Sequence, residues 1–106
     1  MRFSRISAEQ AKEMMTRQEV ILADIRDEQS YQISHISNAQ HIDNHSVADF
    51  IANADKEKPL IVCCYHGNSS QSAAQFFAEQ SFAEVYSLDG GFEHWRTLYP
   101  DECEQE

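Results

Sequence analysis

Three short, mostly apolar runs punctuate a polar chain: Val20-Ile21-Leu22-Ala23, Leu60-Ile61-Val62-Cys63-Cys64 and Val85-Tyr86-Ser87-Leu88. Runs of four or five such residues, without the alternation of a half-exposed strand, are the pattern of strands buried on both faces. Between them the spacing becomes helical. Ala8, Ala11, Met14 and Met15 mark one face of a helix running to about Arg17, and Ser7-Ala8-Glu9-Gln10 in front of it has the form of a capping box. Further helices are predicted over Glu28 to Ile33, from Asn44 or Ser46 through Asn53, over Gln71 to Phe77, and from Phe92 to Leu98, where Pro100 stops the last one. Ala39 to Ile42 is a shorter candidate strand, and Asp55 to Pro59 and Asp89-Gly90-Gly91 read as turns. About five strands alternating with helices, with no repeat and no linker, predict one α/β domain over residues 1–106. Its mostly parallel sheet carries helices on both faces. Only residues 101–106, Asp101 to Glu106, read as a flexible, frayed tail.

Parallel strands share one carboxyl edge, where open α/β sheets bind ligands. The strand ends at Asp24-Ile25-Arg26, at Cys64 and at Asp89-Gly90-Gly91 are therefore expected to meet on one side of the sheet.

Charge narrows the partners. Eighteen acidic residues against eight basic ones give a formal net charge of −10. This argues against nucleic acid, whose phosphates demand a basic stripe, and against anionic membrane surfaces. No window approaches the roughly 18 consecutive apolar residues of a membrane span. Met1-Arg2-Phe3-Ser4-Arg5 is not followed by the apolar stretch of a signal peptide, so cytoplasmic residence is the expectation. Three cysteines, two of them adjacent, cannot form an ordinary disulfide framework, which suits a reducing compartment.

The candidate chemistry lies between the second apolar run and its helix. Cys64-Tyr65-His66-Gly67-Asn68-Ser69-Ser70 links a buried strand to a helix through a tight polar loop. Backbone N–H groups of such a loop can converge on one anionic atom. A free thiol has a pKa near 8.5 and is only about 3% thiolate at pH 7, whereas a fall of roughly two units makes it about three quarters thiolate. Such a fall needs about 2.7 kcal/mol. Hydrogen bonds to a charged group are worth roughly 1.5 to 3 kcal/mol each, so a few loop amides suffice without a neighbouring base. Gly67 can take the positive φ that a loop curling round one atom needs. The bland alternative is a small apolar side chain ending a strand, a reading that leaves Gly67-Asn68-Ser69-Ser70 unexplained. Cysteine-dependent phosphatases use a similar strand, loop and helix with an arginine six positions after the cysteine. That position is Ser70 here, and no guanidinium fork matches a phosphate dianion.

These motifs, taken together, resemble the rhodanese family, and within it the small single-domain thiosulfate sulfurtransferases. Leu22-Ala23-Asp24-Ile25-Arg26-Asp27 is similar to the family's Asp-x-Arg segment, and His35-Ile36-Ser37-Asn38-Ala39 to its Gly-His-Ile-x-x-Ala segment. Cys64-Tyr65-His66-Gly67-Asn68-Ser69 matches the six-residue active-site loop, and Asp89-Gly90-Gly91-Phe92-Glu93-His94-Trp95 the Gly-Gly-x-x-x-Trp ending. The resemblance implies that the Cys64 thiolate takes the outer sulfur of thiosulfate, releases sulfite and carries the sulfur as a persulfide to cyanide or a thiol acceptor. A thioredoxin-like dithiol protein is one such acceptor. It implies further that the amides of Tyr65, His66, Gly67, Asn68 and Ser69 cradle the persulfide, and that the side chains of Asn68, Ser69 and Ser70 hold the donor's oxygens. No cofactor is called for. Two departures stand out: the loop offers His66 but no lysine or arginine, and Ser34 replaces the glycine usual before His35. Anion binding by the loop is accordingly expected to be weak. A non-catalytic binding or persulfide-signalling module, and a sulfur carrier within a protein relay, remain alternatives.

Other candidates have plainer readings. Cys63 should point away from Cys64, because side chains alternate across a strand, and pack inertly. Cys103 is expected to be exposed and incidental. His66 beside Cys64 lacks the second Cys/His cluster of a zinc site, so no metal is expected. Arg26 either supports the site or, as the favoured reading, forms a buried ion pair with an acidic residue such as Asp27. Trp95 reads as core.

Overall fold

A computed structural model describes residues 3–105. Five strands, β1 (Ser4–Ile6), β2 (Ile21–Asp24), β4 (Gln40–His41), β5 (Leu60–Cys63) and β6 (Val85–Leu88), form one sheet in the order β1-β6-β5-β2-β4. Every pairing in it is parallel. The register sets Asp24 beside Cys63 and Val62 beside Ser87, so the carboxyl ends of β2, β5 and β6 lie on one edge as expected. β5 occupies the middle and all four of its residues are buried.

Alternation along β5 divides the core in two. Leu60 and Val62 belong to a cluster with Phe50 of α3 (Val47–Asn53) and Ala74, Phe77 and Ala78 of α4 (Ser69–Ala78). Ile61 and Cys63 face the other way, against Ala8 and Ala11 of α1 (Ala8–Arg17) and Phe92 and Trp95 of α5 (Gly91–Leu98). Helices therefore cover both faces. The capping box before α1 is formed: Ser7 Oγ accepts from Gln10 N–H, and Gln10 Oε1 accepts from Ser7 N–H. Asp27 caps α2 (Glu28–Ile33) by accepting from Ser30 N–H.

Two terminal regions differ from the expectation. β1 is a sheet edge paired with β6, although only Ile6 of its three residues is buried and the stretch carries no apolar run. Residues 101–105 are not a frayed tail. Pro100–Glu102 forms a turn of 3₁₀ helix, and β7 (Cys103–Glu104) pairs antiparallel with β3 (His35–Ile36) as a second, two-stranded sheet. Lys12 Nζ holds Glu102 Oε1 at 2.9 Å, and Trp95 Nε1 donates to Glu102 O. Cys103 is consequently half-buried against the α1/α5 core, with its thiol directed to Tyr99 O. No helix among the described residues is long and apolar enough to cross a membrane.

Candidate functional site

Cys64 follows the last residue of β5, and its Sγ is the point on which the next six residues close. The N–H of Gly67 lies 3.2 Å from the sulfur and the N–H of Ser70 3.3 Å. Ser70 Oγ stands 3.3 Å away on the buried side, where it is itself 2.7 Å from Ser87 Oγ. Asn68, the residue before α4, makes no side-chain cap. The sulfur takes the place of a capping oxygen, accepting an amide from the first turn of the helix. Burial pushes the Cys64 thiol up, but the Ser70 hydroxyl and the amides of Ser70, Gly67 and His66 outweigh it and hold the thiol below its ordinary range. No charged side chain is among those causes.

The loop keeps its shape through three devices. Gly67 has φ 93°, and a side chain there would meet Gly90 N at 2.9 Å. Gly91 is more constrained: at φ 59°, a Cβ would lie 2.5 Å from Cys64 O and from Tyr65 C and O. The approach is that close because α5 binds the loop's backbone with its own first amides, Phe92 N–H donating to Cys64 O at 2.8 Å and Glu93 N–H to Tyr65 O at 3.1 Å. Gln71 Nε2 reaches back to Gly67 O at 3.0 Å. The sequence signalled a turn at Asp89-Gly90-Gly91 but not its role as a seat for the Cys64 loop. Nor did Gln71 or Ser87 stand out, since neither belongs to a spacing that demands chemistry.

The loop residues divide by direction. Gly67 and Ser70 are buried and face the sulfur, whereas Tyr65, His66, Asn68 and Ser69 are exposed. Of the five amides expected in the cradle, those of Tyr65, Asn68 and Ser69 make no hydrogen bond to Sγ, while the amide of Ser70, outside the expected set, does. Ser70's side chain sits beneath the sulfur, 0% exposed, rather than at the mouth of the loop.

Arg26 is 5% exposed and engaged elsewhere. Its Nε lies 3.1 Å from both Asp24 oxygens, its Nη2 2.8 Å from Asp24 Oδ2 and 2.7 Å from Ser34 O. The ion pair is therefore made with Asp24, not Asp27, because Asp24 ends β2 inside the core while Asp27 is turned outward to cap α2. The guanidinium also covers the Phe92 ring at 4.3 Å and approaches the ring of Tyr65, a loop residue, at 5.7 Å. Ser34 has φ −167°, extended backbone open to any residue, so nothing here requires the glycine it replaces. His35 is fully buried, stacked on Tyr31 with centroids 3.8 Å apart, and its Nδ1 donates to Tyr31 O. Trp95 is 0% exposed, as expected of a core residue.

Known proteins agree with this architecture. A Bacillus halodurans protein of known structure, BH2092, superposes with a TM-score of 0.83 at 28% identity, covering 96% of this chain and 77% of that one. A rhodanese-like domain protein from Staphylococcus aureus, 19% identical, shares the fold with a TM-score of 0.75 over 88% of this chain and 90% of its own. In sequence, the thiosulfate sulfurtransferase GlpE of Pseudomonas savastanoi pv. phaseolicola is 57% identical over 103 residues, covering 97% of this chain and 96% of that protein. A Pseudomonas aeruginosa protein of the same name is 60% identical over 98 residues, 92% of this chain and 88% of its own. The family model described as the rhodanese-like domain matches residues 7–98, from the capping serine of α1 to the end of α5, and the chain belongs to that family.

Proposed function

We propose that the protein is a thiosulfate sulfurtransferase in which Cys64 carries the transferred sulfur. The observation behind this reading is the convergence of donors on Cys64 Sγ, two backbone amides and a buried hydroxyl. Such a site suits a reaction that needs a persistent sulfur anion and no proton relay. The Cys64 thiolate attacks the outer sulfur of thiosulfate, the bond between that sulfur and the sulfonate sulfur breaks, and sulfite leaves with the electron pair. In this reading the exposed Asn68 and Ser69 side chains, with His66, meet the donor's oxygens. Cyanide then attacks the outer persulfide sulfur, thiocyanate departs, and the thiolate returns. A dithiol such as a thioredoxin-like protein would accept the sulfur by the same displacement, its second thiol then expelling hydrosulfide as the pair closes to a disulfide.

The high identity to curated relatives of that name supports the donor assignment. A module that only binds a partner would have no use for a thiol held as an anion. Cytoplasmic residence accords with three free cysteines, of which Cys64 works only while reduced. Thiocyanate formation from thiosulfate and cyanide tests the reading: the protein should turn over and Cys64→Ser should not. Equal rates for the two would overturn it.

A further inference from the structure

Ser87 is an unusual residue for its position. It lies inside β6 between Tyr86, which is half-buried, and Leu88, which is fully buried, and it is itself 0% exposed. Strand alternation turns it to the α4 face, where its hydroxyl finds Ser70 Oγ at 2.7 Å. Among the described residues, that oxygen is the single polar partner of Ser87 Oγ. Ser70 Oγ in turn stands 3.3 Å from Cys64 Sγ.

Proton counting gives this row a direction. If Cys64 keeps its proton and donates to Ser70, Ser70 donates to Ser87, and the Ser87 proton is left buried without an acceptor, which is costly. If Ser87 donates to Ser70, the Ser70 proton is directed at the sulfur and every proton in the row has an acceptor, and the sulfur accepts far more strongly as the thiolate than as the thiol. We propose that Ser87 is a positioning residue that orients the Ser70 hydroxyl towards Cys64 Sγ and so favours the thiolate. The proposal deepens the sulfurtransferase reading and rests on it for its purpose. The thiolate is the nucleophile in the first displacement and the leaving group in the second, so one oriented proton serves both half-reactions.

The test is the pH midpoint for alkylation of Cys64 by iodoacetamide, read by mass on the Cys64 peptide in the absence of thiosulfate. Ser87→Ala should raise the midpoint by about half a unit, which is roughly threefold less thiolate at a fixed pH below it. Ser87→Thr and Ser87→Val share one shape and differ by the hydroxyl, so a packing effect common to both cancels. Thr should stay near the parent midpoint and Val should follow Ala. Adding Ser87→Ala to a Ser70→Ala background should produce no further shift, because Ser87 acts through Ser70. A parent-like midpoint in folded Ser87→Ala, equal shifts in the Thr and Val variants, or an undiminished Ser87 effect without the Ser70 hydroxyl would each overturn the proposal. Failure of sulfur loading would instead overturn the sulfurtransferase reading and leave these midpoints standing.

Discussion

Cys63 and Cys64 are neighbours in sequence and both buried, at 1% and 4% exposure, yet their thiols are pushed in opposite directions. Cys63 is the last residue of β5 and turns to the α1/α5 core. Burial raises its thiol well above the ordinary range, and the Asp24 carboxylate beside it adds to the rise against the smaller opposing pull of Arg26. Cys64 sits one residue later, where the strand's ladder has ended and the next helix's amides are free. The contrast teaches that burial alone makes a cysteine inert. What separates the two is the supply of uncommitted N–H and O–H donors, which one step along the chain provides.

The largest expected effect is the loss of that contrast's active half. Cys64→Ser should reduce thiosulfate-to-cyanide transfer to the uncatalysed background, because an alcohol is not appreciably ionised at neutral pH and cannot hold a transferable sulfur. Cys63→Ser should keep most activity and lose about 1 kcal/mol of stability by burying a hydroxyl in an apolar cluster, as measured by denaturant unfolding. Asp24→Asn sharpens the distinction between scaffold and site. It leaves the buried Arg26 guanidinium unpaired and should cost about 3–5 kcal/mol in unfolding free energy. The rate per folded molecule should nevertheless stay within a few-fold of the parent, and a collapse of the rate with the fold intact would give Arg26 a direct part in the chemistry.

Gly91→Ala strikes the seat of the loop. Its positive φ and the 2.5 Å approach to Cys64 O and Tyr65 O predict about 1–3 kcal/mol of destabilisation and a clear fall in transfer, since the backbone carrying Sγ must move. Ser70→Ala should be milder on the fold but should raise the Cys64 midpoint by about one unit, the worth of one hydrogen bond to a charged sulfur. Because the native thiol is lowered, thiolate and hence activity persist as pH falls until the lowered midpoint is crossed. The acid limb of the rate profile should therefore move to higher pH in Ser70→Ala.

Much of this arrangement was legible in the sequence, and what was hidden had a physical reason. The runs at β2, β5 and β6 announce themselves because both of their faces are buried, and Cys64 followed by a glycine-containing polar loop marks the site. β1 and β7 are three and two residues long at the margins of the fold, too short for any period to register. The buried ion pair of Arg26 was legible but its partner was not, because Asp24 and Asp27 both sit near Arg26 in sequence and only the burial of β2's end separates them. Ser87 and Gly91 matter through residues 17 and 27 positions away, Ser70 and Cys64, and contacts of that span leave no local trace.

The smallest effect concerns the long-range field. A formal charge of −10 repels a dianionic donor from a loop that lacks lysine and arginine. Raising ionic strength from about 0.01 to 0.15 M shortens the Debye length from roughly 30 to 8 Å, so turnover at low thiosulfate should rise modestly with inert salt. A neutral dithiol acceptor should show no such rise.

The most direct measurement of the whole account is a mass analysis of the protein after thiosulfate treatment, with the added mass located by peptide mapping. One sulfur atom should appear on Cys64 and none on Cys63 or Cys103, and cyanide should remove it. Sulfur on Cys63, or none on a folded protein with a free Cys64 thiol, would contradict the account.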